Sequence, residues 1–226
     1  TTPTAVPSST VQPSPTPRIT TPTPISEQTP TPTPSATPTA TSSPSVAPTP
    51  TSTPTPAPTP IEPARIVINE IAWMGTASES TDEWMELYNA GTSSVDLAGW
   101  KIEIDGDSSI SLLGSIPGNG YFLIERSADT TVSDIAGDLI TSFGRYGLSN
   151  SGEHLRLKDS EGAVQDKIGP GAWCAGANPS GNASARASME RVSSAVRGDE
   201  LTNWRTNSGA FTTGVDVAGN VINGTP

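Results

Sequence analysis

The chain has 226 residues, a net charge of −11, one cysteine and 23 prolines. Acidity on this scale repels nucleic acid phosphates and anionic membrane surfaces, and no stretch approaches the roughly 20 apolar residues of a membrane helix. A lone cysteine, Cys174, excludes an internal disulfide and a fold that depends on oxidation.

Nineteen of the 23 prolines lie in the first 63 residues, in TPTP-type runs with only three charges, Arg18, Glu27 and Glu62. Such a tract has too little apolar surface to offset the entropy of ordering, so a disordered Pro/Thr/Ser-rich stalk is expected over residues 1–63. Proline favours polyproline II, and at about 3.1 Å per residue a fully extended tract reaches on the order of 200 Å. Its hydroxyls fit either an O-glycosylated stalk or an unmodified linker. Beyond the tract, 21 acids and 11 bases leave a net charge of −10.

The folded part reads as strands. Arg65 to Trp73 (RIVINEIAW) is rich in β-branched residues, with a polar pair, Asn69-Glu70, in its middle. After a turn-rich GTASEST, Glu83 to Asn89 places Met85 and Leu87 opposite Trp84, Glu86 and Tyr88. Val95 to Leu97 is a short extended piece, and Trp100 to Ile104 alternates with period two. Asp105-Gly106-Asp107 then turns the chain.

Further strands are expected at Ile110 to Leu113, Tyr121 to Glu125, Leu139 to Ser142, His154 to Lys158 and Val164 to Ile168, each bounded by a turn signal. Only Ala128 to Gly137 suggests a short helical turn. The pattern is that of an all-β antiparallel sandwich over residues 64–169. Residues 170–226 turn to Gly, Asn, Ser and Ala with sparse Trp173, Met189, Val192, Trp204 and Phe211. They are expected to form an irregular wrap packed on the sandwich, with one more strand at Ser188 to Val192.

Candidate chemistry is sparse. Glu70, Glu83 and Glu86 fall on the first two strands and would meet if those strands pair, which suggests either calcium binding through carboxylate oxygens or a structural polar network. The network is preferred, with Glu70 or Glu86 hydrogen-bonded to backbone and to a base such as Arg191, holding the wrap on the sandwich. Asp105-Gly106-Asp107 lacks the other ligands of an EF-hand and reads as a turn. His154 reads as a partly exposed strand residue and Cys174 as a small apolar filler. No catalytic residues, metal ligands or cofactor site are predicted, and the glycines near Gly169 to Gly176 follow no phosphate-binding pattern. Trp84 with Tyr88, and Trp73 and Trp100, would form a contact patch if uncovered; cover by the wrap or a second sheet is the preferred reading.

INEIAWMGT at Ile68 to Thr76, DEWMELYN at Asp82 to Asn89 and VDLAGWKIE at Val95 to Glu103 together resemble the lamin tail domain in its bacterial form. FGRYGLSNSGEHLRL at Phe143 to Leu157, Val164-Gln165-Asp166, SMER and Asn203-Trp204-Arg205-Thr206 extend the likeness toward the end of the chain. The resemblance implies an immunoglobulin-like β-sandwich that binds partners and has no catalytic centre. Nuclear members carry a coiled-coil rod before this module, and the Pro/Thr tract occupies that position here, which argues against filaments and a nuclear role.

These readings point to a non-enzymatic, extracytoplasmic interaction module at the cell surface or secreted, binding a protein or polysaccharide and not nucleic acid. Envelope attachment would then run through sequence before Thr1. The rival readings are an accessory domain of a secreted hydrolase or nuclease whose catalytic part precedes Thr1, and a spacer with a cap and no specific ligand.

Overall fold

A computed structural model describes residues 65–105, 108–169 and 171–226. The expected stalk, residues 1–63, and Gly106-Asp107 lie outside the described residues. Twelve strands run in chain order: β1 Ile66–Ala72, β2 Trp84–Asn89, β3 Val95–Asp96, β4 Lys101–Ile104, β5 Ser108–Ser111 and β6 Ser115–Ile116, followed by β7 Tyr121–Arg126, β8 Leu139–Thr141, β9 Leu155–Lys158, β10 Val164–Ile168, β11 Met189–Arg191 and β12 Trp204–Thr206. The only helical pieces among the described residues are 3₁₀ turns at Ala183–Ala185 and Leu201–Asn203. No helix there is long and apolar enough to cross a membrane.

The strands form a six-stranded sheet in the order β12-β11-β1-β2-β7-β8, a four-stranded sheet β10-β9-β4-β5 and a small β3-β6 ribbon. All pairings are antiparallel except β7 with β8. This is the expected all-β, immunoglobulin-like sandwich. Its core lies between the two larger sheets, with Ile66, Ile68, Ile71, Met85, Leu87, Phe122 and Ile124 from one and Ile102, Ile104, Ile110, Leu155, Leu157 and Ile168 from the other. Burying each such side chain contributes about 1.5–3 kcal/mol, which is why the alternating positions dictate the layering.

The polar pair in the middle of RIVINEIAW has a geometric cause. The β1–β2 register slips between Ile68 and Glu70, a β-bulge that inserts Asn69 as an extra residue. The insertion lets Ile68 and Ile71, three apart, both face the core while Glu70 turns to the outer face. Strict period two would have put one of them outside.

Two short strands, β6 and β12, exceed what the sequence pattern indicated, and the C-terminal segment supplies β11 and β12 to the edge of the large sheet. The helical turn expected between Ala128 and Gly137 is absent. That stretch is a run of turns and bends, because side chains take the N–H groups a helix would need: Glu125 accepts from Thr131 and Val132, and Asp129 accepts from Gly137.

Candidate binding groove on the outer sheet face

Strand register sets a row of side chains across the outer face of the large sheet. Arg205 on β12 stands opposite Glu190 on β11, Glu190 opposite Glu70 on β1, Glu70 opposite Glu86 on β2, and Glu86 opposite Leu123 on β7. Asp138 continues the row, its N–H donating to Leu123 O at 2.9 Å and its Oδ2 accepting from Leu123 N at 2.8 Å. Three glutamates thus stand side by side on adjacent strands. Like charges directly opposite one another are destabilising, so each needs compensation.

The compensation differs along the row. Glu190 accepts from Arg205 Nε at 2.9 Å and from Asn207 Nδ2. Glu70, fully buried, accepts from Ser188 Oγ, from Thr225 N at 2.9 Å and from Thr225 Oγ1 at 2.6 Å. Burial still raises its carboxyl above the ordinary value. Glu86 is only 4% exposed, and Asn69 Nδ2 donates to its Oε1 at 2.7 Å. Its Oε2 accepts no hydrogen bond from the described residues. Burial first, and then Glu70 and Glu190, push its carboxyl up to about 8.

The C-terminal residues cover part of this face. Ser188 N–H donates to Asn223 O, Ala187 bridges to Asn223, and Gly224 lies against Trp84 and Glu70. Trp84 is fully buried beneath them. Beyond this cover the face is open: Tyr121 is 56% exposed, its ring 4.9 Å from that of half-buried Tyr88. Two adjoining cavities of about 390 and 220 Å³ share Asn69, Tyr121 and Thr225. Glu86, Leu123 and Asp138 line the larger, and Glu190, Arg205 and Phe211 the smaller.

The three side chains expected to form one polar network are divided between two. Glu70 and Glu86 stand on the outer face, whereas Arg191, one position along β11 from Glu190, points the other way. Arg191 Nε donates to Ile68 O at 2.7 Å, Nη1 donates to Val196 O at 2.9 Å, and Nη2 pairs with Asp166 on β10. Asp166 also accepts from Ile68 N at 3.0 Å. The bulge frees both Ile68 backbone groups, and a buried ion pair satisfies them while joining the two sheets. The base expected beside Glu70 or Glu86 thus serves Asp166. The guanidinium also lies 4.8 Å from the centre of the Trp204 ring.

Glu83 does not join Glu70 and Glu86 either. It accepts from Arg126 Nη1 at 2.9 Å and Leu148 N at 2.7 Å, and burial pushes its carboxyl up to about 7. Trp73 stacks on Trp173 at 6.0 Å between ring centres, and Trp100 is a core residue. His154 is half-buried, with its Nδ1 3.2 Å from Arg156 Nη2.

Cys174 is exposed rather than a buried filler, since it sits in a loop whose neighbours Trp173 and Ala175 provide the packing. Its sulfur lies 3.8 Å from Met189 Sδ, and desolvation there raises the thiol above its ordinary value. Asp105 closes β4 with φ +45° and accepts from His154 N at 2.8 Å. Beside it, Glu153 is pushed up to about 7 by burial and by the hydrogen bond with Asp105. Among the described residues no group of three or more His, Cys, Asp or Glu side chains is disposed to hold a metal ion.

Glu190, Asp138 and Asp166 escaped the reading of the sequence. Glu190 lies within SMER and Asp166 within Val164-Gln165-Asp166, so both carried the likeness without showing a role, and strand register decides what each one faces.

Two packed, mainly antiparallel sheets place the folded part in the broad class of immunoglobulin-like β-sandwiches. Within it, the family model described as Lamin Tail Domain matches residues 59–172, just over half of the 226 residues, and the chain belongs to that family. The match ends before β11, so SMER and the Trp204 motif lie beyond it. No curated protein matches the chain.

Proposed function

We propose that this chain is a non-enzymatic, extracytoplasmic module of the bacterial lamin-tail form, carried on a Pro/Thr-rich stalk and binding a protein or polysaccharide partner. The observation that carries the reading is the groove over the large sheet, where exposed Tyr121 adjoins Glu86, whose Oε2 accepts no hydrogen bond from the described residues. Aromatic rings and a few convergent polar groups on an open sheet face are the ordinary means of ligand recognition by a rigid scaffold. The Pro/Thr composition supports display away from an attachment point, and the acidity of the folded part supports a partner other than nucleic acid.

The test is binding of the full chain to arrays of envelope polysaccharides and of peptides. Partner binding that Tyr121→Ala abolishes, with the melting temperature unchanged, is the expected result. Binding to neither array, or binding indifferent to the groove variants, overturns it.

A further inference from the structure

The larger cavity has a charge character of its own. Among the described residues its only carboxyl side chains are Glu86 and Asp138, and no base contributes to its wall. Each acid spends one oxygen on the protein, Glu86 Oε1 on Asn69 and Asp138 Oδ2 on Leu123 N. The second oxygen of each accepts nothing from the described residues. Burial holds the Glu86 carboxyl up at about 8, and Glu70 and Glu190 along the row, with Tyr121 beside it, supply no cation; an ammonium bound there would favour its ionised form. Arg205, on the row's far edge, is engaged by Glu190.

The rest of the wall combines the neutral polar residues Asn69, Thr213 and Thr225 with an aliphatic stretch. Leu123, Ile135, Ala136 and Pro226 line the same cavity, and the exposed Tyr121 ring stands at its mouth. Two carboxylate oxygens, an aliphatic wall and an aromatic face match a cation on a short hydrocarbon stem: the methylenes contact the wall, the ring attracts the charge, and the carboxylates accept its hydrogen bonds. A volume of about 390 Å³ admits such a side chain.

The geometry points to the Glu86–Asp138 cavity as a receptor for a lysine side chain presented by a protein partner. This rests on the interaction-module reading and narrows it to one chemistry. A saccharide could hydrogen-bond Asn69, Thr213 and Thr225, but it would bring no charge to match the two carboxyl groups or to use the absence of a base.

Nuclear magnetic resonance titration of the full chain with Nα-acetyl-lysine N-methylamide tests it, with the norleucine analogue, spermidine and calcium as parallel probes. Saturable shifts centred on Asn69, Tyr121, Leu123 and Asp138 are expected with the lysine compound and not with norleucine. Glu86→Gln and Asp138→Asn should each weaken it about tenfold, the loss of one charge-assisted hydrogen bond. Equal response to norleucine, no response to lysine, or insensitivity to both variants overturns the assignment. Preference for spermidine or calcium overturns it in favour of free amines or metal. If lysine fails while an array partner is still lost with Tyr121→Ala, the cavity assignment falls and the interaction module stands.

Discussion

Arg191 shows how much can hang on one side chain. Its guanidinium is buried, satisfies the carbonyl freed by the β1 bulge, and neutralises Asp166, whose carboxyl burial already raises. Arg191→Met leaves a desolvated carboxylate without its cation, and a loss of about 3–5 kcal/mol is expected in denaturant unfolding. Adding Asp166→Leu should recover only part of this. A wholly apolar pair removes the stranded charge, but Ile68 N–H and C=O then lose both partners, and each unsatisfied backbone group costs about 1–3 kcal/mol. Full recovery in the double variant would show that the backbone groups contribute nothing.

The segment after Thr213 acts as a clasp on the large sheet. Glu70 receives Thr225, Asn223 receives Ser188, and Gly224 is the point of closest approach. A Cβ on Gly224 would meet the Trp84 ring at 2.7 Å and Glu70 Oε1 at 2.8 Å. Both neighbours are buried and cannot yield cheaply. Gly224→Ala is therefore expected to lift the clasp while leaving the sandwich folded: amides of 221–225 should lose hydrogen-exchange protection and Trp84 fluorescence should shift to the red. Unchanged protection of Thr225 would mean that the sheet tolerates the methyl.

Taken together, the buried acids give the molecule an unusual response to pH. Burial pushes Glu83, Glu125 and Glu153 up to about 7 and Glu86 up to about 8, while in the unfolded chain all four ionise near their ordinary value. Between pH 5 and 8.5 the folded form therefore binds more protons than the unfolded one, so stability falls as pH rises. Acids held low, such as Asp199 beside Arg197 and Lys167, titrate below this window and do not offset the trend. Calorimetry at constant ionic strength should show a lower melting temperature at pH 8.5 than at pH 5, by about 2–4 °C for each kcal/mol involved. Glu86→Gln should flatten the slope, and a melting temperature that rises toward pH 8.5 would contradict these assignments.

The strand pattern of the sandwich was legible in the chain because period-two burial is a local property: Met85 and Leu87, Ile102 and Ile104, Leu155 and Leu157 announce their faces without reference to anything distant. The three-motif likeness carried the family for the same reason. Partnership was not legible. Whether Arg191 meets Glu70 or Asp166, and whether Asp138 joins Glu86 at one cavity while Glu190 lines the next, depends on a bulge at Asn69 and on contacts between residues as far apart as 155 positions, such as Glu70 with Thr225. A one-residue slip in register exchanges every inward side chain for an outward one. The alternation of apolar residues is thus written in the chain, but the identity of each polar group's neighbour is created only when the strands are laid side by side.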